Sequence, residues 1–99
     1  MRYFIVEITY RVPWQQMEAE ILEHRKLLDE GLAQGWVLAA GPREPRNGGI
    51  AIVKAESVDE LIQFFARGPY MQKSLANYRF SEFNPLKMQP EFIQWQERK

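Results

Sequence analysis

The chain of 99 residues contains no cysteine and a single histidine, His24. The absence of cysteine excludes a disulfide framework, a thiolate nucleophile and every metal site built from cysteine. One histidine among scattered carboxylates matches none of the recognised ligand spacings, and the sequence contains no glycine-rich phosphate loop. The composition therefore predicts that the protein binds no metal and no cofactor. A cysteine-free chain fits a cytoplasmic location best.

The chain also lacks an excess of charge of either sign, because 13 acidic residues balance 13 lysines and arginines. A net charge of zero gives no electrostatic basis for binding nucleic acid or a membrane surface, so neither is expected as a partner. No apolar run approaches the roughly 20 residues that a membrane-spanning helix needs, and the N-terminus lacks the basic and then apolar layout of a signal peptide. We expect one domain over residues 1–99, with a core over 2–86 and a C-terminal extension over 87–99.

The order of apolar patterns predicts a ferredoxin-like α+β fold. Strand-like patterns occupy residues 2–12, 36–40, 49–56 and 78–84. One amphipathic helix is predicted over residues 14–34. A second begins at the capping box Ser57-Val58-Asp59-Glu60 and ends at Gly68-Pro69, where glycine accepts a left-handed conformation, and a further helical turn is expected over 70–76. This β-α-β-β-α-β order predicts a four-stranded antiparallel sheet with both helices on one face.

The other face of this sheet, which we call the outer face, carries Tyr3 and Ile5 together with aromatic residues of the last strand. An apolar sheet face exposed to water favours association, so we expect a homodimer joined through the sheet faces. The tail after Pro90 is apolar enough to dock on the body of the domain or on the second subunit, through Phe92, Ile93 and Trp95.

His24 occupies a position at which an apolar side chain is expected. At 100° per residue it lies in the middle of the stripe of the first helix formed by Met17, Ile21, His24, Leu28 and Leu32. Imidazole titrates near neutral pH, which makes a half-buried histidine a candidate acid or base. The alternative is a core histidine that is held by a hydrogen bond. The residues alone leave both interpretations open.

A set of short motifs, in order, resembles the YCII-related (YciI-like) proteins over about residues 2–86. The motifs are His24, Asp29-Glu30-Gly31, Ala40-Gly41-Pro42, Gly48-Gly49, Ser57-Val58-Asp59-Glu60, Gly68-Pro69-Tyr70 and Phe83-Asn84-Pro85. The resemblance implies a dimeric α+β barrel with a histidine–aspartate pair in a pocket beside the sheet. It also implies small-molecule chemistry, since some relatives are enzymes, including a dehydrochlorinase of chlorinated hydroquinones.

The chain departs from the family pattern at Gly68, where the family usually carries the aspartate that precedes the proline. Without a nearby carboxylate, an imidazole is less basic and less firmly oriented. Glu20 precedes His24 by one helical turn, a spacing at which side chains meet, so it is a candidate substitute. The alternative is that Glu20 is a solvated residue at the flank of the helix.

Four further residues are candidates for binding a ligand. By the resemblance, Tyr70 and Pro42 line the pocket of His24, although Tyr70 is equally well interpreted as a core aromatic. Arg43 and Arg46 flank a proline in the predicted loop, and guanidinium groups bind carboxylates well. Solvated loop arginines are the alternative.

Two functions follow from these residues. The first is a small-molecule enzyme of the lyase or isomerase type, in which His24 moves protons on a small aromatic or lactone substrate. The second is a non-catalytic dimeric protein that binds a small ligand or supports a pathway, because Gly68 removes half of the expected pair.

Overall fold

The computed structural model of the protein describes residues 1–98 and confirms the predicted α+β fold. The strands are β1 (Arg2–Tyr10), β2 (Val37–Pro42), β3 (Gly48–Ala55) and β4 (Ala76–Phe83), and they form an antiparallel sheet in the spatial order β2-β3-β1-β4. The helices within residues 1–98 are α1 (Trp14–Glu18), α2 (Ile21–Gln34), α3 (Val58–Phe65), α4 (Pro69–Gln72) and α5 (Pro90–Glu97). No helix in this part of the chain combines the length and apolarity that crossing a bilayer requires.

The side chains of β1 alternate between two faces of the sheet, as the sequence predicts. Phe4, Val6 and Ile8 are at most 3% exposed and form part of the core beneath the helices. Tyr3 and Ile5 lie on the outer face and are half-buried. On β1, the inner face of the sheet is therefore buried in the core of the same chain.

The aromatic residues of β4 divide between the two faces, so their predicted place on the outer face is wrong for two of them. Tyr78 and Phe80 pair with residues of β1 that point into the core. Phe65 of α3 contacts both rings, at centroid distances of 5.1 and 6.2 Å. Phe83, which pairs with Tyr3, lies on the outer face. The alternation of Ala76, Tyr78 and Phe80 with polar residues is the local signal for this core-facing row.

The helix predicted over residues 14–34 is broken, which corrects the sequence interpretation. Glu20 leaves helical geometry at φ −112° and ψ 0°, and its amide donates to a carbonyl three residues earlier at 2.9 Å, a tight 3₁₀-type turn. In α2, His24 and Leu27 are buried, while Leu32 is 46% exposed. The apolar stripe is therefore correct for the position of His24, and Leu32 lies on the same face but is only partly covered.

Gly68 has φ −95°, an ordinary backbone conformation rather than the predicted left-handed one. The residue precedes α4, a short helix over Pro69–Gln72 that begins one residue before the helical turn expected over 70–76 and ends earlier. A Cβ at position 68 would lie 2.8 Å from Leu27 Cδ2, so glycine here permits a close approach between α4 and α2. The left-handed glycine is Gly35, at φ 88°, which ends α2.

The C-terminal helix α5 packs against the outer face of its own chain. Trp95 is 1% exposed, its ring centroid lies 5.9 Å from that of Tyr3, and its indole N–H donates to the Gly35 carbonyl at 2.7 Å. The ammonium group of Lys54 donates to the carbonyls of Trp95 and Arg98 at the end of the helix. The tail is therefore docked on the body of the domain, one of the two places that its composition predicts.

Candidate functional site

A cavity of about 260 Å³ lies between α2, α4 and the part of the sheet formed by β1, β2 and β3. Most of its wall is apolar and comes from Ile8, Ile21, Leu28, Leu32, Ala40, Pro42 and Ala51. The side chains with polar groups are those of Tyr10, His24, Arg25, Asp29, Arg46 and Tyr70. A mostly apolar cavity with a few polar groups is the usual form of a small-molecule site.

His24 and Tyr70 stack on each other in the wall of this cavity. Their ring centroids are 4.0 Å apart and the rings are inclined by 11°. His24 is 7% exposed and Tyr70 is 1% exposed. Within residues 1–98, neither Nδ1 of His24 nor the hydroxyl oxygen of Tyr70 has a hydrogen-bond partner, although both atoms are fully buried.

These two unpartnered atoms distinguish the pair from an ordinary polar contact in a core. A buried polar atom without a partner costs roughly 1–3 kcal/mol, and native structures contain few such atoms. The hydrogen bond that would define a structural core histidine is not formed by Nδ1 in residues 1–98. The arrangement of His24 and Tyr70 therefore carries an energetic cost in the folded protein.

Burial controls the protonation of both side chains. Burial, together with the weaker effect of the nearby charge of Arg25, lowers the pKa of His24 to about 4. Burial also raises the pKa of the Tyr70 hydroxyl, with Tyr10 acting in the same direction, while the charges of Arg46 and Arg25 act against it. At neutral pH the pair is a neutral imidazole stacked on a neutral phenol.

The sequence-predicted residues fall into two groups in the structure. His24, Tyr70 and Pro42 line one cavity. Glu20 and Arg43 do not line it. Arg46, the sixth candidate, lines the cavity too, so the structure brings together four of the six, of which His24 and Tyr70 are in direct contact.

Other partners hold Glu20 and Arg43. The carboxylate of Glu20 forms a salt bridge with Lys73, and no hydrogen bond joins it to the His24 ring within residues 1–98. The guanidinium of Arg43 donates to the side chains of Asn47 at 3.1 Å and Thr9 at 3.1 Å. Glu20 thus ties α2 to the residue after α4, and Arg43 fixes the loop between β2 and β3.

Sequence reasoning missed two cavity residues with strong charge, Arg25 and Asp29. Both lie outside the helical stripe when residues 14–34 are treated as one regular helix, which predicts that they face solvent. In the structure they line the cavity beside His24, at the edge of the same helix face as Ile21 and Leu28. Their spacing from Ile21, four and eight residues, was the local signal that could have placed them there.

The loop after β2 contributes Arg46 to the same cavity. Its guanidinium carbon lies 4.3 Å from the centre of the Trp14 ring, a cation–π contact. Arg46 is exposed, and within residues 1–98 neither Arg46 nor Arg25 forms a salt bridge. The mouth of the cavity therefore carries two guanidinium groups without an ion-pair partner in this part of the chain.

The residues described contain no group of three or more His, Cys, Asp or Glu side chains placed to hold a metal ion.

Comparisons with known proteins give a matching family for the sequence and a similar fold for the structure. The YCII-related domain family matches residues 1–84. Among solved structures, the chain is similar to 5-chloro-2-hydroxyhydroquinone dehydrochlorinase (TftG) from Burkholderia phenoliruptrix AC1100 in complex with 2,5-dihydroxybenzoquinone. That likeness has 18% sequence identity and a TM-score of 0.64, and it covers 83% of this chain and 93% of that chain. At this identity it shows the shared fold. No curated protein matches the chain.

Proposed function

The chain belongs to the YCII-related domain family, and from this membership and the cavity we propose that the protein is a small-molecule enzyme with His24 as its acid/base group. The substrate class that we propose is a small aromatic or lactone compound, and the reaction is of the lyase or isomerase type. The observation that carries the proposal is the His24–Tyr70 stack, which brings two titratable side chains together in the wall of an apolar cavity.

His24 is neutral at neutral pH, so it is able to accept a proton from the substrate. In an isomerisation, the proton removed from one atom returns to another atom of the same substrate, and His24 ends neutral. In an elimination, the electron pair of the broken C–H bond forms the new double bond, the leaving group departs with its own electrons, and the imidazolium releases its proton to water. The Tyr70 ring, stacked at 4.0 Å, stabilises the intermediate imidazolium by a cation–π contact.

The low pKa of His24 sets a limit on this chemistry in the empty cavity. General bases work best when their pKa lies near the working pH. A pKa of about 4 lies some three units below neutrality, which corresponds to about 4 kcal/mol of lost driving force for proton uptake. This deficit, together with the glycine at position 68, favours the second candidate function, a dimeric protein that binds a small ligand without turnover.

Measurements of turnover and of ligand binding distinguish the enzyme from the non-catalytic binding protein. We expect a screen of hydroxylated aromatics and lactones to find a compound that wild-type protein converts, with a rate that falls about 100-fold or more in His24→Gln while binding persists. Turnover that survives the loss of His24 contradicts its role as acid/base. Binding without turnover in wild-type protein, with activity gained in Gly68→Asp, establishes the second function instead.

A carboxylate restored at position 68 is expected to raise the pKa of His24. The Cβ of residue 68 would point at Leu27, which lies three residues after His24 on α2, so the side chain enters next to the imidazole once Leu27 shifts. An opposite charge within about 4–6 Å raises the pKa of a histidine by about 1–3 units. The NMR titration of the lone histidine in Gly68→Asp measures this change.

The matched control is Gly68→Asn, which introduces the same shape without charge. We expect its His24 pKa to stay close to that of the wild-type protein. Equal His24 pKa values in the Asp and Asn variants would show that position 68 does not act on the imidazole.

We also propose that the protein is a homodimer joined through the outer face. The helix α5 contacts that face at Tyr3 and Lys54, and further along the sheet it leaves Ile50 40% exposed. Sedimentation is expected to give a dimer, and a stable monomer at micromolar concentration would refute the proposal. The cytoplasmic location stays a prediction.

A further inference from the structure

The charged residues at the cavity indicate which class of small molecule it takes. Arg25 and Arg46 line the cavity without an ion-pair partner in residues 1–98, and Asp29 is the one carboxylate among the lining side chains. Asp29 follows Arg25 by one helical turn, yet the two form no salt bridge. The cavity therefore has an excess of positive charge at its lining, although the chain as a whole is neutral.

The charges of Arg25 and Arg46 affect the Tyr70 hydroxyl in the wall of the cavity. Both guanidinium groups act on the hydroxyl of Tyr70, where they favour the negatively charged form. Two arginines from different elements, one on α2 and one in the loop after β2, thus direct positive potential at the same buried oxygen. Such a potential favours a ligand that brings negative charge into the cavity.

The volume and lining restrict the rest of the ligand. Cavities for drug-sized molecules start at about 300 Å³, so a cavity of about 260 Å³ is suited to a molecule with one ring. The lining is mostly aliphatic, and His24 and Tyr70, which stack on each other, line one side of it. A planar apolar body with one charged group matches both features.

We propose, on the basis of the cavity function proposed above, that the ligand is a small planar monoanion with one ring, whose carboxylate binds Arg25 and Arg46 and whose ring lies against His24 and Tyr70. Arg46 reaches a carboxylate when its guanidinium leaves the face of Trp14, and its planar fork pairs with carboxylate oxygens in a bidentate manner. Arg43, the loop arginine that the sequence singles out equally, already donates to Asn47 and Thr9.

An anionic ligand also changes the chemistry of the site. Negative charge near an imidazole favours its protonated form. The ligand thereby supplies the charge that the family places at position 68 and that glycine cannot supply. The base becomes stronger when the substrate is present.

Benzoate and benzyl alcohol are suitable probes, because they share the ring and differ in charge. Binding is measured by calorimetry at neutral pH and low salt, and the signal of the lone histidine in the NMR spectrum reports whether the probe occupies the cavity. We expect benzoate to shift the His24 signal and to bind about tenfold or more tightly than benzyl alcohol, since hydrogen bonds to charged groups are the stronger ones. Its affinity is expected to fall as salt is added.

Substitutions of the two arginines test whether they bind the carboxylate of benzoate. We expect Arg46→Gln and Arg25→Gln each to weaken benzoate binding about tenfold and to leave benzyl alcohol unaffected. Arg79→Gln is the matched control, since Arg79 is exposed on the outer face, where it pairs with Glu7; its benzoate affinity is expected to equal that of the wild-type protein.

Two results would overturn the inference, and they differ in what they imply for the proposed function. Equal affinities for the two probes, with both shifting His24 and neither arginine variant affecting benzoate, refute the anionic ligand but leave the cavity as a binding site. If neither probe shifts the His24 signal at any concentration tested, the cavity does not bind one-ring molecules, and the proposed function fails with the inference.

Discussion

The free energy of unfolding is expected to fall by about 3 kcal/mol as the pH drops from 6.5 to 4, because folding holds His24 in its neutral form. The pKa of His24 is about 4 in the folded protein and 6.5 for an unperturbed histidine. Between these values the unfolded chain binds a proton at His24 that the folded protein does not bind. The contribution of His24 to the free energy of unfolding is therefore fully present above pH 6.5 and is lost as the pH falls toward 4. The 2.5-unit difference corresponds to about 3 kcal/mol.

Urea unfolding at a series of pH values measures this effect, and His24→Gln is the matched control. Glutamine fills similar space without titrating, so the variant is expected to lose this part of the pH dependence. Carboxylates such as Glu30, whose pKa the Arg67 guanidinium lowers by a hydrogen bond, titrate in both proteins and cancel in the comparison. Parallel stability curves for the two proteins would show that folding does not perturb His24.

Trp95→Ala is expected to cost about 4 kcal/mol of unfolding free energy, the cost that removing a large buried aromatic side chain usually has. The Trp95 ring is 1% exposed between Tyr3, Phe92 and the ammonium group of Lys54, and its N–H holds the Gly35 carbonyl. The substitution removes these contacts together and releases the end of α5. Denaturant unfolding at neutral pH measures the loss.

Trp95→Phe separates packing from hydrogen bonding at the same position. Phenylalanine keeps an aromatic ring but leaves the Gly35 carbonyl without its donor, so we expect a smaller loss of about 1–2 kcal/mol. A loss below about 1 kcal/mol in Trp95→Ala would mean that α5 contributes little to the fold. The helix lies beyond residues 1–84, the part that the family matches, so its docking is a feature of this chain outside the family domain.

The order of the elements was predictable because each element carries its own local signal. The alternation of Phe4, Val6 and Ile8, the capping box at Ser57 and the glycine at position 35 all specify structure within a few residues. Of these, the capping box is confirmed in its serine half, while Glu60 reaches back one residue further than a capping box requires. Ser57 accepts from the amide of Glu60, and the Glu60 carboxylate accepts from the amide of Glu56.

The parts that sequence reasoning missed depend on contacts between distant residues. The break before α2 accompanies a salt bridge between Glu20 and Lys73, which are 53 positions apart. It separates α1 from α2, a break that no helical periodicity within residues 14–34 reveals. The need for glycine at position 68 comes from the close approach of Leu27, a residue of α2 remote in sequence.

The resemblance to the YCII-related family predicts that His24 and Tyr70 lie in one pocket, and the structure adds how the two rings are arranged and buried. The two rings stack, both are neutral at neutral pH, and each keeps a buried polar atom without a partner in residues 1–98. The family pattern also identified the missing carboxylate at Gly68. The positive lining at Arg25 and Arg46 offers a way for the ligand to replace that charge.

The central claim is that His24 is a neutral base in a ligand-binding cavity, and the NMR titration of its single imidazole tests it most directly. The account predicts a midpoint near pH 4 in the free protein, and a shift of that midpoint to higher pH when benzoate is bound. A midpoint near the ordinary value of 6.5 that no added ligand moves would contradict it.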